Sequence, residues 1–394
     1  MTASGAHSIL PALSAAEAAH SHAARALIIR ELQAAGGWLS FERFMELALY
    51  APGLGYYSAG SVKIGAAGDF VTAPEVSALF GRCVAAQCAE LLRETGGDIL
   101  EVGAGTGVLA ATILACLDAT DALPERYAIL EVSADLADRQ RQRLQNLPAA
   151  LRQRVVWLER LPGSLRGVIL ANEVLDALPF QRFVIRAGAA RELGVALDEG
   201  RLTWCEGTSE PGAAADLRLA GLLRSLQWQL PERYAFEVCW RLTPWIAGMA
   251  GCLERGALLL CDYGLPRPHY YHPQRLQGTL RCHFKHRAHE DPFINVGVQD
   301  ITAWVDFTRV AEAAVAVGLE VSGFATQAAF LLGTGIERMV AEVRQALPRA
   351  QVAGEARRLL MPGEMGEAFK VMALTRGVQA ALRGFAYQDL RASL

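Results

Sequence analysis

Residues 98–109 read Asp98-Ile-Leu-Glu101-Val-Gly103-Ala-Gly105-Thr-Gly107-Val-Leu109. A short apolar run ends in an acid and three alternating glycines, and an apolar helix-like segment begins at Val108. Strand, glycine turn and helix start together make a loop for a nucleotide cofactor, because glycines let the backbone approach a ligand that side chains would block. A tight strand-to-helix corner in other α/β proteins can carry the same glycines, so the spacing has to choose the ligand. A dinucleotide fingerprint has G-x-G-x-x-G, whereas here the third glycine is Gly107 and Val108 follows it. No Lys-Ser or Lys-Thr comes after the turn, which excludes a P-loop.

The pattern E-x-G-x-G-x-G resembles motif I of Rossmann-like methyltransferases, which hold S-adenosyl-L-methionine. The resemblance makes Glu101, Gly103, Gly105 and Gly107 cofactor-binding candidates. That ligand has no pyrophosphate to cradle and carries a sulfonium cation, so a close-approach turn beside an acid suits it. Farther on, Tyr127-Ala-Ile-Leu-Glu131-Val-Ser133 reads as the next strand ending in an acid. Its place, roughly twenty-odd residues beyond the turn, is where a ribose-binding carboxylate is expected. Glu131 would accept hydrogen bonds from both ribose hydroxyls.

Composition narrows the classes. The chain has 394 residues, 52% hydrophobic and 20% charged, which is the balance of an ordinary globular protein. A net charge of −3 with no long basic run disfavours nucleic acid as a partner. Apolar runs such as Gly256-Ala-Leu-Leu-Leu-Cys261 are too short to span a bilayer. Eight cysteines without a C-x-x-C disfavour a zinc site and a disulfide framework, as expected in a reduced compartment. The Ala-rich first 35 residues lack the apolar core of a secretory signal and are poor in Arg. Bacterial cytoplasm is therefore the expectation, with the mitochondrial matrix the equivalent in a eukaryote.

From about residue 97 onward, short apolar runs alternate with helical patterns, which predicts a mostly parallel sheet flanked by helices. Seven strands are expected: 99–102, 128–132, 155–158, 168–171, 257–261, 321–325 and 369–374. The expected fold class is α/β; the resemblance makes it a Rossmann-like class I methyltransferase with an N-terminal helical segment and inserted elements, its last strand antiparallel. The expected division is a helical, cofactor-covering segment over 1–95 and a core over 96–264 carrying an inserted hairpin at about 181–206. A substrate-side insertion over 265–300 and completion of the sheet over 301–394 follow. Residues 15–34 are expected to be helical, and Ser40-Phe-Glu-Arg43 to start a helix as a capping box.

Thr72-Ala-Pro74-Glu75 precedes a helix expected from about Glu75, whose free backbone N–H groups would suit the cofactor's carboxylate. A surface loop capped by Thr72 reads from the same residues. After the fourth strand comes Asn172-Glu173-Val-Leu-Asp176-Ala177-Leu-Pro179, at the sheet edge where ligands bind. If a helical turn follows Asn172, Glu173 and Asp176 share one face and can clamp a guanidinium through a bidentate fork. Such an acid pair localises charge away from the attacking nitrogen and takes up the released proton. In the alternative, Asn172 contacts the cofactor while both acids cap and solubilise a turn. The lack of an Asn/Asp-Pro-Pro-Tyr motif argues against adenine or glutamine-amide methylation.

Asp262 and Tyr263 end the fifth strand at the same edge and are candidates for lining the acceptor pocket. Five of the eight histidines fall within 269–289, including His283-x-x-His286-x-x-His289. That spacing lacks the geometry of H-E-x-x-H, so substrate-loop or structural roles are expected and no metal. The stretch Val296 to Phe307 is expected to begin a helix with acids near its N-terminus.

Taken together, several motifs are similar to the MidA family of S-adenosylmethionine-dependent protein arginine methyltransferases. They are Gly55-Tyr56-Tyr57, Gly68-Asp69-Phe70 to Glu75, the glycine turn, Asn172-Glu173-x-x-Asp176-Ala177-x-Pro179, Asp262-Tyr263-Gly264, His286-x-x-His289, Gln299-Asp300-Ile301-Thr302 and Val305-Asp306-Phe307. They run in family order from about residue 40 to 375, and the family includes the mitochondrial complex I assembly-factor methyltransferase. The resemblance implies dimethylation of an arginine in a protein substrate, a respiratory complex I subunit, during assembly. It places Gly103, Gly105, Glu131 and the Thr72–Glu75 segment, Pro74 included, at the cofactor. Asn172, Glu173 and Asp176 fall on the acceptor side, with His286 and His289 as substrate-binding candidates. A small-molecule methyltransferase and a cofactor-binding assembly chaperone with vestigial catalysis remain the alternatives. A nicotinamide oxidoreductase has the wrong glycine spacing.

Overall fold

Alternation of apolar runs with helices at this spacing yields, in the computed structural model, an eight-stranded sheet with a seven-strand path through it. The structure describes residues 10–59, 71–207, 213–226, 228–343, 345 and 348–394, so the Gly68-Asp69-Phe70 motif lies outside the described residues. The chain divides into two units, each assembled from three segments. One comprises Thr72–Leu178, Trp240–Tyr270 and Trp304–Leu394, and the other Met1–Val71, Pro179–Cys239 and Tyr271–Ala303.

The first unit holds the large sheet. Its strands are β1 (Asp98–Val102), β2 (Tyr127–Leu130), β3 (Val155–Leu158), β4 (Leu165–Asn172), β5 (Leu253–Leu265), β6 (Glu320–Thr326) and β7 (Phe369–Arg376). They lie side by side in the order β6-β7-β5-β4-β1-β2-β3, with Val305–Asp306 pairing in parallel beside the end of β5. The β1–β5 pairs are parallel, and β7 runs antiparallel to both neighbours, as expected. All seven expected strands are present. Only β3 has both expected ends: β4, β5 and β6 are longer on both sides, β1 and β7 are longer on one, and β2 starts one residue early and stops at Leu130, so that Glu131 and Val132 leave the sheet.

Helices α1 (Ala73–Val76), α2 (Ala78–Thr95), α3 (Val108–Asp118) and α4 (Ala134–Leu144) surround the strand ends that matter below. In α3 the residues Leu109, Ile113, Leu114 and Leu117 are buried at helical spacing. They pack with Phe80 and Leu91 of α2 and with Ile99, Val168 and Leu259 of the sheet. Each such side chain gains roughly 1.5–3 kcal/mol on leaving water. The strand order reverses between β1 and β4, and ligands of open α/β sheets bind at the carboxyl ends on either side of such a point. The glycine turn follows β1 and the acid-bearing loop follows β4.

The second unit has its own core and two antiparallel sheets. The helix at Ala15–Ala34 lies where expected and opens with a capping box between Ser14 and Glu17. The helix Phe41–Tyr50 is capped by Ser40 alone, through the Arg43 N–H; position 43 holds no acid to complete the expected box. The inserted hairpin is part of a five-stranded sheet built from Leu39–Ser40, Gln181–Arg186, Ala189–Asp198, Arg201–Glu206 and Ala235–Val238. Residues 281–302 form a smaller sheet of Arg281–Phe284, Arg287–His289 and Asp300–Thr302. Asp300 therefore sits on a strand, and the helix expected from Val296 starts only at Phe307, in the other unit, capped by Asp306 through the Arg309 N–H.

Candidate active site

At the end of β1 the backbone needs the left-handed region three times, with φ of 68° at Gly103, 53° at Gly105 and 79° at Gly107. A side chain on Gly103 would press on Val174 Cγ2 at 3.2 Å, and one on Gly107 would meet Gln140 Cα at 3.3 Å. The Gly103 N–H donates to the Leu130 carbonyl at 3.0 Å, which ties the turn to the end of β2. Glu131 follows that end directly. Its Oε1 accepts from the Ser133 N–H and its Oε2 from Gln140 Nε2, each at 2.9 Å, so the carboxylate is held in one orientation. Val132, next in sequence, is 81% exposed.

Glu101 is placed differently from its neighbours in the motif. It is buried, and its Oε2 accepts the Tyr127 hydroxyl across β1 and β2 at 2.6 Å. Burial pushes its pKa up to about 7, against the lowering effect of Tyr127 and with a further push from the Glu131 charge.

The Thr72–Glu75 segment forms a single turn, α1, and not the start of a longer helix. Ser77 interrupts it with extended backbone and caps α2 through the Leu79 N–H. Thr72 makes no side-chain cap. The Ala73 N–H donates to Glu173 Oε1 at 3.2 Å, and the Thr106 hydroxyl donates to Glu75 Oε1. One short segment thus touches both the glycine turn and the first of the candidate acids.

The stretch after Asn172 is a loop, not the helical turn expected, and Glu173 takes a positive φ of 53° within it. Glu173 Oε1 also accepts from Asn172 Nδ2 at 3.2 Å. What shapes the loop lies 86 to 88 residues downstream. Asp262 Oδ2 accepts the N–H groups of Val174, Leu175 and Asp176 at 3.2, 2.9 and 3.3 Å, while its Oδ1 accepts the Tyr263 N–H at 2.9 Å. Asp262 is 1% exposed; burial and the charges of Asp176 and Glu173 push its pKa well up, against the pull of the backbone donors. Tyr263 adds a 2.5 Å hydrogen bond from its hydroxyl to Asp176 Oδ2. Burial raises the Asp176 pKa to about 6, and the Tyr263 hydroxyl and nearby backbone N–H groups hold it from rising further. Asp176 Oδ1 is buried and has no hydrogen-bond partner among the described residues; Asn172 Oδ1 is in the same condition.

These geometries agree with the comparisons to known proteins. A family model described as "S-adenosyl-L-methionine-dependent methyltransferase" matches residues 83–325. The chain belongs to this family. A protein from Burkholderia thailandensis, solved with S-adenosyl-homocysteine bound, is 40% identical with a TM-score of 0.92, covering 98% of this chain and 100% of its own. The mitochondrial protein arginine methyltransferase NDUFAF7 homologue of Drosophila melanogaster is 30% identical over 407 residues, 94% of this chain and 88% of that protein. The human mitochondrial protein arginine methyltransferase NDUFAF7 is 26% identical over 383 residues, 86% of this chain and 80% of its own. The methyltransferase is thus an enzyme of class I fold that uses S-adenosyl-L-methionine.

Its residues fit that cofactor. The fixed Glu131 carboxylate suits a ribose diol, and exposed Val132 beside it offers an apolar face to a purine. The positive-φ glycines keep side chains out of the turn, and the buried Asn172 Oδ1 is an acceptor without a donor, suited to the ammonium of the methionine part. The remaining candidates lie in the other unit. Lys285 and His286, with φ of 45° and 60°, form the turn of a hairpin in which His289 pairs with Cys282. Burial lowers the pKa of His289, and that of His283 to about 4. In the same unit the Tyr57 hydroxyl donates to Asp300 Oδ1 at 3.0 Å, joining Gly55-Tyr56-Tyr57 to Gln299-Asp300-Ile301-Thr302. Among the described residues no group of three His, Cys, Asp or Glu side chains could hold a metal ion.

Proposed function

We propose that the methyltransferase methylates an arginine side chain of a protein. The observation that carries this reading is the buried, unpartnered Oδ1 of Asp176, beside an Oδ2 already engaged by Tyr263. A guanidinium is a fork of N–H donors that is always charged, and a preset carboxylate oxygen is its natural partner. With a pKa of about 6, Asp176 is ionised at neutral pH yet basic enough to take a proton. S-adenosyl-L-methionine supplies an electrophilic methyl group when bound.

In this account Asp176 Oδ1 holds one N–H of the guanidinium and draws positive charge toward itself, leaving a second nitrogen more nucleophilic. Glu173, fixed by Asn172 Nδ2 and the Ala73 N–H, adds negative charge to the same loop. The proton lost on methylation goes to Asp176 Oδ1. Positioning does much of the work, since the loop is set before substrate arrives. The names of the Drosophila and human relatives support the arginine reading. The family resemblance extends it to dimethylation of a complex I subunit during assembly, in a mitochondrial matrix or a bacterial cytoplasm.

The test is Asp176→Asn, with Glu173→Gln beside it. Transfer to protein should fall about 100-fold or more while S-adenosyl-homocysteine binding stays within about 3-fold, because a general base typically contributes that much. Unchanged turnover in both variants contradicts the acid clamp.

A further inference from the structure

Gln140 is fully buried in the middle of α4, and every hydrogen-bonding group of its amide is engaged. Its Nε2 donates to Glu131 Oε2 at 2.9 Å and to the Gly105 carbonyl at 3.0 Å. Its Oε1 accepts the Trp157 indole N–H at 3.0 Å. The chemistry of the partners allows one orientation only. A carboxylate and a carbonyl can only accept, and an indole N–H can only donate. A flipped amide would set its oxygen against two acceptors and its NH₂ against a donor.

We propose that Gln140 is a positioning residue for the cofactor, coupling the glycine turn to the ribose-binding carboxylate. One side chain sets both the direction of the Glu131 carboxylate and the tilt of the Gly105 peptide. Arg143, one turn farther along α4, repeats the second contact by donating from Nε to the Thr106 carbonyl at 3.0 Å. Both carbonyls are thereby drawn toward α4, and in a trans peptide the Thr106 N–H then points the opposite way. Trp157, with the Arg141 guanidinium 5.1 Å over its ring, acts at one remove by fixing which way the amide faces. Gly107 belongs to the same arrangement, since a Cβ there would sit 3.3 Å from Gln140 Cα, tighter than an ordinary contact.

The experiment is calorimetric titration of the full chain with S-adenosyl-homocysteine, so it needs no methyl acceptor. Gln140→Glu keeps the shape but faces a carboxylate toward Glu131 and the Gly105 carbonyl. It should weaken binding about 10- to 100-fold, the usual worth of a hydrogen bond to a charged group. Trp157→Phe frees the amide to flip and should weaken binding about 3-fold or more, with an unchanged circular dichroism spectrum. Because Gln140 acts partly through Glu131, Gln140→Glu should cost less in a Glu131→Gln background than in the native one; fully independent effects would multiply. A role in stability alone predicts losses that multiply, or a lowered Tm with affinity intact; either result overturns the proposal. If Gln140→Glu does not fold, Trp157→Phe decides, and wild-type affinity in that variant also overturns it.

Discussion

At the scale of single residues, the Tyr263 hydroxyl determines how Asp176 can act. It occupies one carboxylate oxygen, which leaves Oδ1, the atom proposed to hold the guanidinium, without a hydrogen-bond partner among the described residues, and it stabilises the charged form against burial. Tyr263→Phe removes a donor to the ionised carboxylate, so the Asp176 pKa should rise above its value of about 6. Activity that needs ionised Asp176 then begins at higher pH. The acid limb of the kcat/KM profile, centred near 6 in the native enzyme, should move upward in Tyr263→Phe, with the loss greatest below neutral pH. An acid limb that stays in place would show that Asp176 is not the titrating base. Little of this was legible locally. The acids themselves stood out after a predicted strand, but the positive φ of Glu173 depends on an anchor at Asp262, which no local pattern reveals. Gln140 did leave a trace: it shares a helical stripe with Leu136, Ala137 and Leu144, and a polar residue on an apolar stripe has to find buried partners.

Among the elements, β1 and β2 carry a conflict between sequence motif and packing. Glu101 belongs to the glycine motif, yet it is spent on Tyr127 inside the sheet, with its pKa raised from 4.5 to about 7. The unfolded chain releases this proton near pH 4.5 and the folded chain only near 7, so folding binds a proton between those values. Stability from this group is therefore present in acid and is lost as pH rises through 7, to the extent of about 3 kcal/mol. Glu101→Gln, which cannot ionise, should be close to the native enzyme in stability at pH 5 and more stable at pH 8. Urea denaturation at both values checks this; an equal difference between the two proteins at pH 5 and pH 8 contradicts it. The existence of the strands was legible because apolar runs bounded by glycines and acids are local signals. Their ends were not: β5 runs on to Leu265 because Val305–Asp306 pairs beside it, a contact invisible in the run itself.

For the whole molecule, the two units interleave in sequence, and only pairing over long separations assigns segments to them. Leu39 and Ser40 join Val195 and Gly194 in one sheet, although nothing between them in the chain announces it. The family motifs nevertheless fall in both units, with Tyr57 bonded to Asp300 in one and the glycine turn beside Glu75 in the other. Sequence similarity to the Drosophila relative named as an arginine methyltransferase extends over 94% of the chain, through segments of both units and not the cofactor motif alone. The central claim is that this arrangement delivers a methyl group to arginine in a protein. Its most direct test is to incubate the enzyme with methyl-labelled S-adenosyl-L-methionine and a membrane-protein extract from cells lacking it. Acid hydrolysis and amino-acid analysis follow, with Asp176→Asn as control. The account predicts label in dimethylarginine with the native enzyme and none with the variant. No protein-bound label, in an enzyme that still binds S-adenosyl-homocysteine, would contradict it.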